Sequence, residues 1–148
     1  HQAGVGSTIT VKLGGKTDSL HGEPLQVTAY VKSLTDGQFI QSSPMWQGLK
    51  VNLGTSARLQ VGNVDVIVAS VRSQTFDEQV FLLHGIDVTK YKIVALKSSQ
   101  HFRAAFQSIA KEILTVDSPG LSTCDFSSFA YKRIARPVFP LDSVPDFA

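Results

Sequence analysis

Cysteine is almost absent: a single thiol, Cys124, leaves no possibility of an intrachain disulfide or a multi-cysteine metal knuckle. Histidine is sparse too. Its four positions (1, 21, 84 and 101) are widely spaced and include no His-Glu-x-x-His pair, so metal binding by this chain alone has little support. Charge of one sign is missing, since 14 basic side chains face 12 acidic ones for a net +2, which gives no electrostatic footprint for nucleic acid. No apolar run approaches the ~18 residues of a membrane-spanning helix. Neither a Gly-x-Ser-x-Gly elbow nor an internal repeat occurs. The opening residues, His1-Gln2-Ala3-Gly4, carry no initiator methionine and fit neither a signal peptide nor a tag, which predicts a start partway along a longer polypeptide.

What is present suits one core-forming domain of 148 residues, 43% hydrophobic and 18% charged. Residues 7–13 alternate, with Ile9, Val11 and Leu13 on one side, and read as a half-buried strand ended by Gly14-Gly15. Residues 16–24 form a polar loop broken by Gly22 and Pro24. A second strand spans Leu25 to Leu34, and Asp36-Gly37 predicts a hairpin turn with the return strand starting at Phe39-Ile40. Gly62-Asn63 predicts another hairpin, joining Ala57–Val61 to Val64–Ala69. Thr75-Phe76-Asp77-Glu78 has the form of a capping box opening a short helix that stops at Gly85. The apolar run Lys92–Leu96 suits a strand covered on both faces. Ser98 or Ser99 can then cap a helix whose stripe is Phe102, Ala105, Phe106, Ile109, Ala110 and Ile113. A last strand is expected at 113–116, followed by an extended tail carrying Pro137, Pro140 and Pro145. The fold class expected is α+β: a mixed, largely antiparallel sheet of hairpins with two packed helices and a Pro-rich tail, in a single domain.

The stretch with most chemical content is Lys97-Ser98-Ser99-Gln100-His101-Phe102-Arg103. Backbone amides at a strand-to-helix junction form an anion site, and the two serines add donors. Cations at a helix start are disfavoured by ~0.3–1 kcal/mol each, so gathering Lys97, His101 and Arg103 there suggests an anionic partner; equally, Lys97 and Arg103 could simply point to solvent. Lys16, Asp18 and His21 share the polar loop, where Asp18 and His21 could form an acid/base pair or a metal's outer contact, or the loop could be hydrated around an Asx-turn. Gly15-Lys16-Thr17 mimics the end of a P-loop but lacks its earlier glycine and any following helix. His84 is expected at a helix C-terminus, Cys124 as an inert thiol, and Trp46 with Met45 in a core more than in a pocket.

In order along the chain, Gly14-Gly15-Lys16-Thr17-Asp18, His21-Gly22-Glu23-Pro24, Leu34-Thr35-Asp36-Gly37, Pro44-Met45, Gly85-Ile86-Asp87, Lys97–Phe106, Pro119-Gly120, Arg136-Pro137 and Pro140-Leu141-Asp142 resemble the C-terminal region of the microcystinase C (MlrC)-like metallopeptidase family. Lys97–Phe106 is the most specific piece; Ser43, before Pro44, stands where glycine is expected. The resemblance implies a two-domain, zinc-dependent hydrolase named for cleaving the linearised products of a cyclic peptide toxin, in a cytoplasmic setting. It implies that zinc sits in a larger N-terminal domain, held by carboxylates and histidines there, with no metal ligand in this chain. Lys97, His101 and Arg103 are then the expected catalytic groups, and Ser98, Ser99, Lys16, Asp18 and His21 the expected substrate-binding ones. The partners implied are a peptide or amide substrate, the protein's own N-terminal domain and a possible second copy. The other reading is a non-catalytic module for docking or oligomerisation.

Overall fold

The computed structural model of the chain describes residues 2–17, 19–20, 22–118 and 123–143. Six strands, β1 (Thr8–Leu13), β2 (Leu25–Thr35), β3 (Gln38–Ile40), β4 (Lys50–Asn52), β5 (Ser56–Val61) and β6 (Val64–Ala69), are followed by two short helices, α1 (Gln79–Leu82) and α2 (Arg103–Phe106). The chain divides into two compact units, one of His1–Leu13 with Leu25–Thr115 and the other of Gly14–Pro24 with Val116–Ala148.

In the first unit an antiparallel sheet runs β1-β2-β5-β6. The period of two in β1 and β2 puts Ile9, Val11 and Leu13 against buried Ala29, Val31 and Leu59, with Leu34, Ala57 and Val61 around them. Each large apolar side chain fully buried there contributes roughly 1.5–3 kcal/mol before entropy is counted. A register shift between Val31 and Ser33 bends β2 where it meets β5. Gly62-Asn63 closes the β5–β6 hairpin, with Val61 opposite Val64 and Gly62 at φ +58°. The expected α+β class, with its largely antiparallel sheet and two packed helices, is the observed one.

Several local expectations differ. Asp36-Gly37 does not fold β3 back on β2; β3 pairs instead with β4 in a separate two-stranded sheet. Gly37, at φ +74°, runs against another backbone: a Cβ there would lie 2.0 Å from the Gly54 carbonyl oxygen. Its own carbonyl accepts the Leu53 amide at 2.9 Å. That close approach diverts the chain from a two-strand return. The run 92–96 and residues 113–116 join no ladder, and Leu114 and Val116 are largely exposed. The long second helix shrinks to Arg103–Phe106, with Phe102, Ala105 and Phe106 packed while Ile109 and Ala110 are exposed. Ser108 donates its hydroxyl to the Ala105 carbonyl at 3.0 Å, a local bond that competes with continuing the helix.

A second apolar cluster joins buried Ile86, Val88 and Phe106 to Ile67, Phe81, Tyr91, Val94, Leu96, Phe102 and Ala105. Phe106 meets Phe81 edge-on at 6.3 Å and Phe102 at the same distance, and this packing brings α1 and α2 together. In the second unit, the tail around Pro137 and Pro140 closes on itself. Arg136 pairs with Asp142, the Val138 amide donates to Asp142 Oδ2 at 2.8 Å, and the Asp142 amide donates back to Val138 at 2.9 Å.

Candidate functional site

The segment from Lys97 to Phe106 is anchored at its apolar positions and open at its polar ones. Phe102 and Phe106 sit in the second cluster, while Lys97, Ser99 and His101 are exposed. The Ser98 hydroxyl turns inward and accepts the Gln74 amide at 2.8 Å, which leaves its own proton available to donate. His101 lies against the Phe76 ring, centroids 5.7 Å apart. The Arg103 guanidinium stands 5.5 Å from the Phe102 centroid and donates to Thr115 Oγ1 at 3.1 Å. Among the described residues, no carboxylate lies within ion-pair distance of Lys97, His101 or Arg103.

The expected strand-to-helix junction is absent. The preceding residues form no strand, α2 begins only at Arg103 with Phe102 before it, and neither Ser98 nor Ser99 caps it. Residues 98–102 turn instead, the Arg103 amide bonding to the Gln100 carbonyl at 3.1 Å. A helix of four residues sums little dipole, so any anion affinity here rests on the side-chain charges themselves.

Across a cleft of about 400 Å³, Ala104, Ala105, Ser108 and Ile109 face Ser42, Ser43, Pro44 and Glu78. Two segments distant in sequence, Ser43-Pro44 and Ala104-Ala105, thus form opposing walls. The first wall is held by Asp77, which is 1% exposed. Its Oδ2 accepts the Ser42 amide at 2.7 Å, the Ser43 amide at 2.8 Å and the Ser42 hydroxyl at 2.9 Å. Its Oδ1 accepts the Gln79 amide at 3.1 Å. Asp77 therefore does the work assigned to the capping box: α1 starts after Glu78 with no side-chain cap from Thr75. Trp46, expected in a core, is 60% exposed at φ +65° on this same loop.

His84 stands where expected, just past the C-cap Leu83 of α1 with its amide on the Phe81 carbonyl at 2.9 Å, but its ring bonds away from the helix end. It is buried, its Nδ1 2.8 Å from Ser33 Oγ and its Nε2 3.0 Å from Ser56 Oγ, with Ser56 in turn 2.7 Å from Thr35 Oγ1. Burial, and secondly the nearby Arg58 charge, hold its pKa below the usual histidine range. A neutral ring has one donor and one acceptor nitrogen, so one serine donates to it and the other accepts. Beside it Arg58 forks onto Asp65 at 2.9 and 3.0 Å and donates to the His84 carbonyl at 3.3 Å. The Tyr91 hydroxyl donates to Asp65 Oδ2 at 2.5 Å. The Arg58 hydrogen bond chiefly keeps the Asp65 pKa below its ordinary value, and the bond to Asp65 chiefly raises that of Tyr91. The sequence held a signal for this pair: the Gly62-Asn63 turn puts 58 and 65 diagonally on one face of the hairpin. For Asp77 there was none, because its serines lie 34 and 35 residues away.

Of the loop group, Lys16 is exposed in the second unit, after Gly15 at φ +55°, where a Cβ would meet Pro24 nitrogen at 2.6 Å. Asp18 and His21 lie outside the described residues, as does Pro119-Gly120. Among the described residues, no three His, Cys, Asp or Glu side chains gather as a metal ion requires. Cys124 is an exposed free thiol.

Microcystinase C of Sphingomonas sp is 26% identical over 143 residues, which cover 97% of this chain and 27% of that protein. The crystal structure of a candidate metallopeptidase from Mesorhizobium sp. BNC1 superposes with a TM-score of 0.84 at 28% identity, over 97% of this chain and 28% of its own. The chain thus spans little more than a quarter of the length of each relative. No helix among the described residues is long and apolar enough to cross a membrane. The family model described as MlrC C-terminus matches residues 1–133, and the chain belongs to that family.

Proposed function

We propose that this chain is the C-terminal part of a metal-dependent peptidase or amide hydrolase, and that Lys97–Arg103 binds the carboxylate of a substrate or the oxyanion formed during its cleavage. The observation that carries this reading is the set of three basic side chains on one short segment, none paired with a carboxylate among the described residues. The names of the relatives, Microcystinase C and a candidate metallopeptidase, support the reaction class. Arg103, steadied by Phe102 and Thr115, is the anion clamp. His101 donates a hydrogen bond or proton, Lys97 stabilises charge, and Ser98 and Ser99 add hydroxyl donors. Lys16, Asp18 and His21 contribute to substrate binding.

In this reading the metal, zinc, belongs to an N-terminal part of a longer polypeptide; the relatives, of which this chain covers 27–28%, support that placement. When bound, such an ion supplies Lewis acidity to the reacting carbonyl. Arg103→Ala in the polypeptide as its gene encodes it should lower kcat/KM about 100-fold, as loss of one oxyanion donor does. His101→Ala should lower it by about tenfold or more. Unchanged kcat/KM in both variants, with normal folding and metal content, removes the proposal. Should the basic segment instead prove to be buried against another chain far from any metal, the chain is a docking module.

A further inference from the structure

Five consecutive residues, Lys92 to Leu96, carry a strand-forming sequence without a strand partner. Among the described residues, no backbone hydrogen bond reaches their amides or carbonyls. From 93 to 96 burial nonetheless alternates: Val94 and Leu96 turn into the second apolar cluster, whereas Ile93, at 84%, and Ala95 are exposed, as is Lys92. That is a strand's period of two, with one face covered and the other bare. Beside them is β6, the last strand of its sheet, with Val64 61% exposed. A largely apolar cavity of about 520 Å³ opens between them, lined by Val64, Ile67, Phe81, Ile86, Val88 and Val94 among others. An apolar segment with open backbone groups beside an edge strand is an aggregation template unless something covers it.

We propose that residues 92–96 dock the remainder of the polypeptide, which pairs a β-strand with them and covers Ile93 and Ala95. The relatives favour this occupant over a second copy. In both, the matched region is only 27–28% of the chain, and the Mesorhizobium protein keeps this fold at a TM-score of 0.84 within its longer polypeptide. The exposed phase of the segment continues from Ile93 and Ala95 to Lys97 and Ser99. Covering the face of Ile93 and Ala95 therefore also places Lys97 against the docked part. The inference rests on the reading above that a further part of the polypeptide holds the metal.

Hydrogen–deuterium exchange on the polypeptide as its gene encodes it tests this directly. A strand paired along one edge bonds every second amide, so alternate amides within 92–96 should exchange at least about 100-fold more slowly than a free loop. Ile93→Asp should abolish that protection while the amides of β2 and β5 keep theirs. Free-loop rates at all five amides overturn the proposal. Protection that disappears on dilution also overturns it, because it identifies a second copy. Protected amides together with unchanged activity of Arg103→Ala would sink the catalytic reading alone. Unprotected amides together with Arg103-dependent activity would sink the docking alone.

Discussion

Within the larger unit, residues 8–13 with 25–69 and residues 72–115 solve the same problem by different means. The first region satisfies its backbone through ladders, and its apolar side chains follow the pleat into one cluster. The second has two four-residue helices and short turns, and adds to its apolar cluster several single side chains that reach across the chain. Asp77 holds Ser42 and Ser43, His84 ties Ser33 to Ser56, and Tyr91 completes the Arg58–Asp65 pair. Ladder energy is spread over many bonds, whereas the second region combines one apolar cluster with a few buried polar groups. Such groups are expensive to leave unpaired. A loop-rich region can therefore be firmly placed while its surface stays free for binding, as the 97–103 segment is.

The contrast is best broken at Asp77. Asp77→Ala strips the acceptor from three backbone amides and a hydroxyl, and should cost about 3 kcal/mol in urea unfolding, where a loss within about 0.5 kcal/mol would show that the loop is held by packing alone.

A smaller effect is expected from pH at His84. Its folded pKa lies below its unfolded value, so below about 6.5 the unfolded chain takes up a proton that the folded protein refuses. This site's contribution to stability is full above that pH and declines as pH falls toward the folded pKa. Urea midpoints at several pH values between 7.5 and 5 should fall with acidification, and His84→Asn should flatten that slope. An identical slope in the variant would mean that other groups carry the acid sensitivity.

The least change is expected at Thr75. A formed capping box would make Thr75→Ala cost about 0.5–2 kcal/mol. Because α1 begins at Gln79 without that cap, the unfolding midpoint should barely move.

Much of the sheet could be read from the sequence because its cues are local: alternation in Thr8–Leu13 and Leu25–Thr35, and Gly62-Asn63 between two apolar runs. Gly37 misled for the opposite reason, since its conformation answers to Gly54, a neighbour seventeen positions away. At the candidate site, the unusual gathering of Lys97, His101 and Arg103 was legible, but its setting was not. The apolar period of Phe102, Ala105, Phe106 and Ile109 promises a long helix, and only the packing of Phe102 and Phe106 against Phe81 and the local bond of Ser108 decide where it ends.

By itself, the sequence determined the antiparallel hairpin architecture, the inward residues of its strands and the family to which the chain belongs. The first two follow from periodicity and turn chemistry, which act over a few residues; the family follows from the match of the chain to the MlrC C-terminus. The tertiary structure decided which acid is buried, which histidine is held neutral between two serines, and which apolar run is left without a ladder. Each of those depends on a partner brought from elsewhere in the fold, and the cost of burying a charge or a bare amide is set only once that partner is in place.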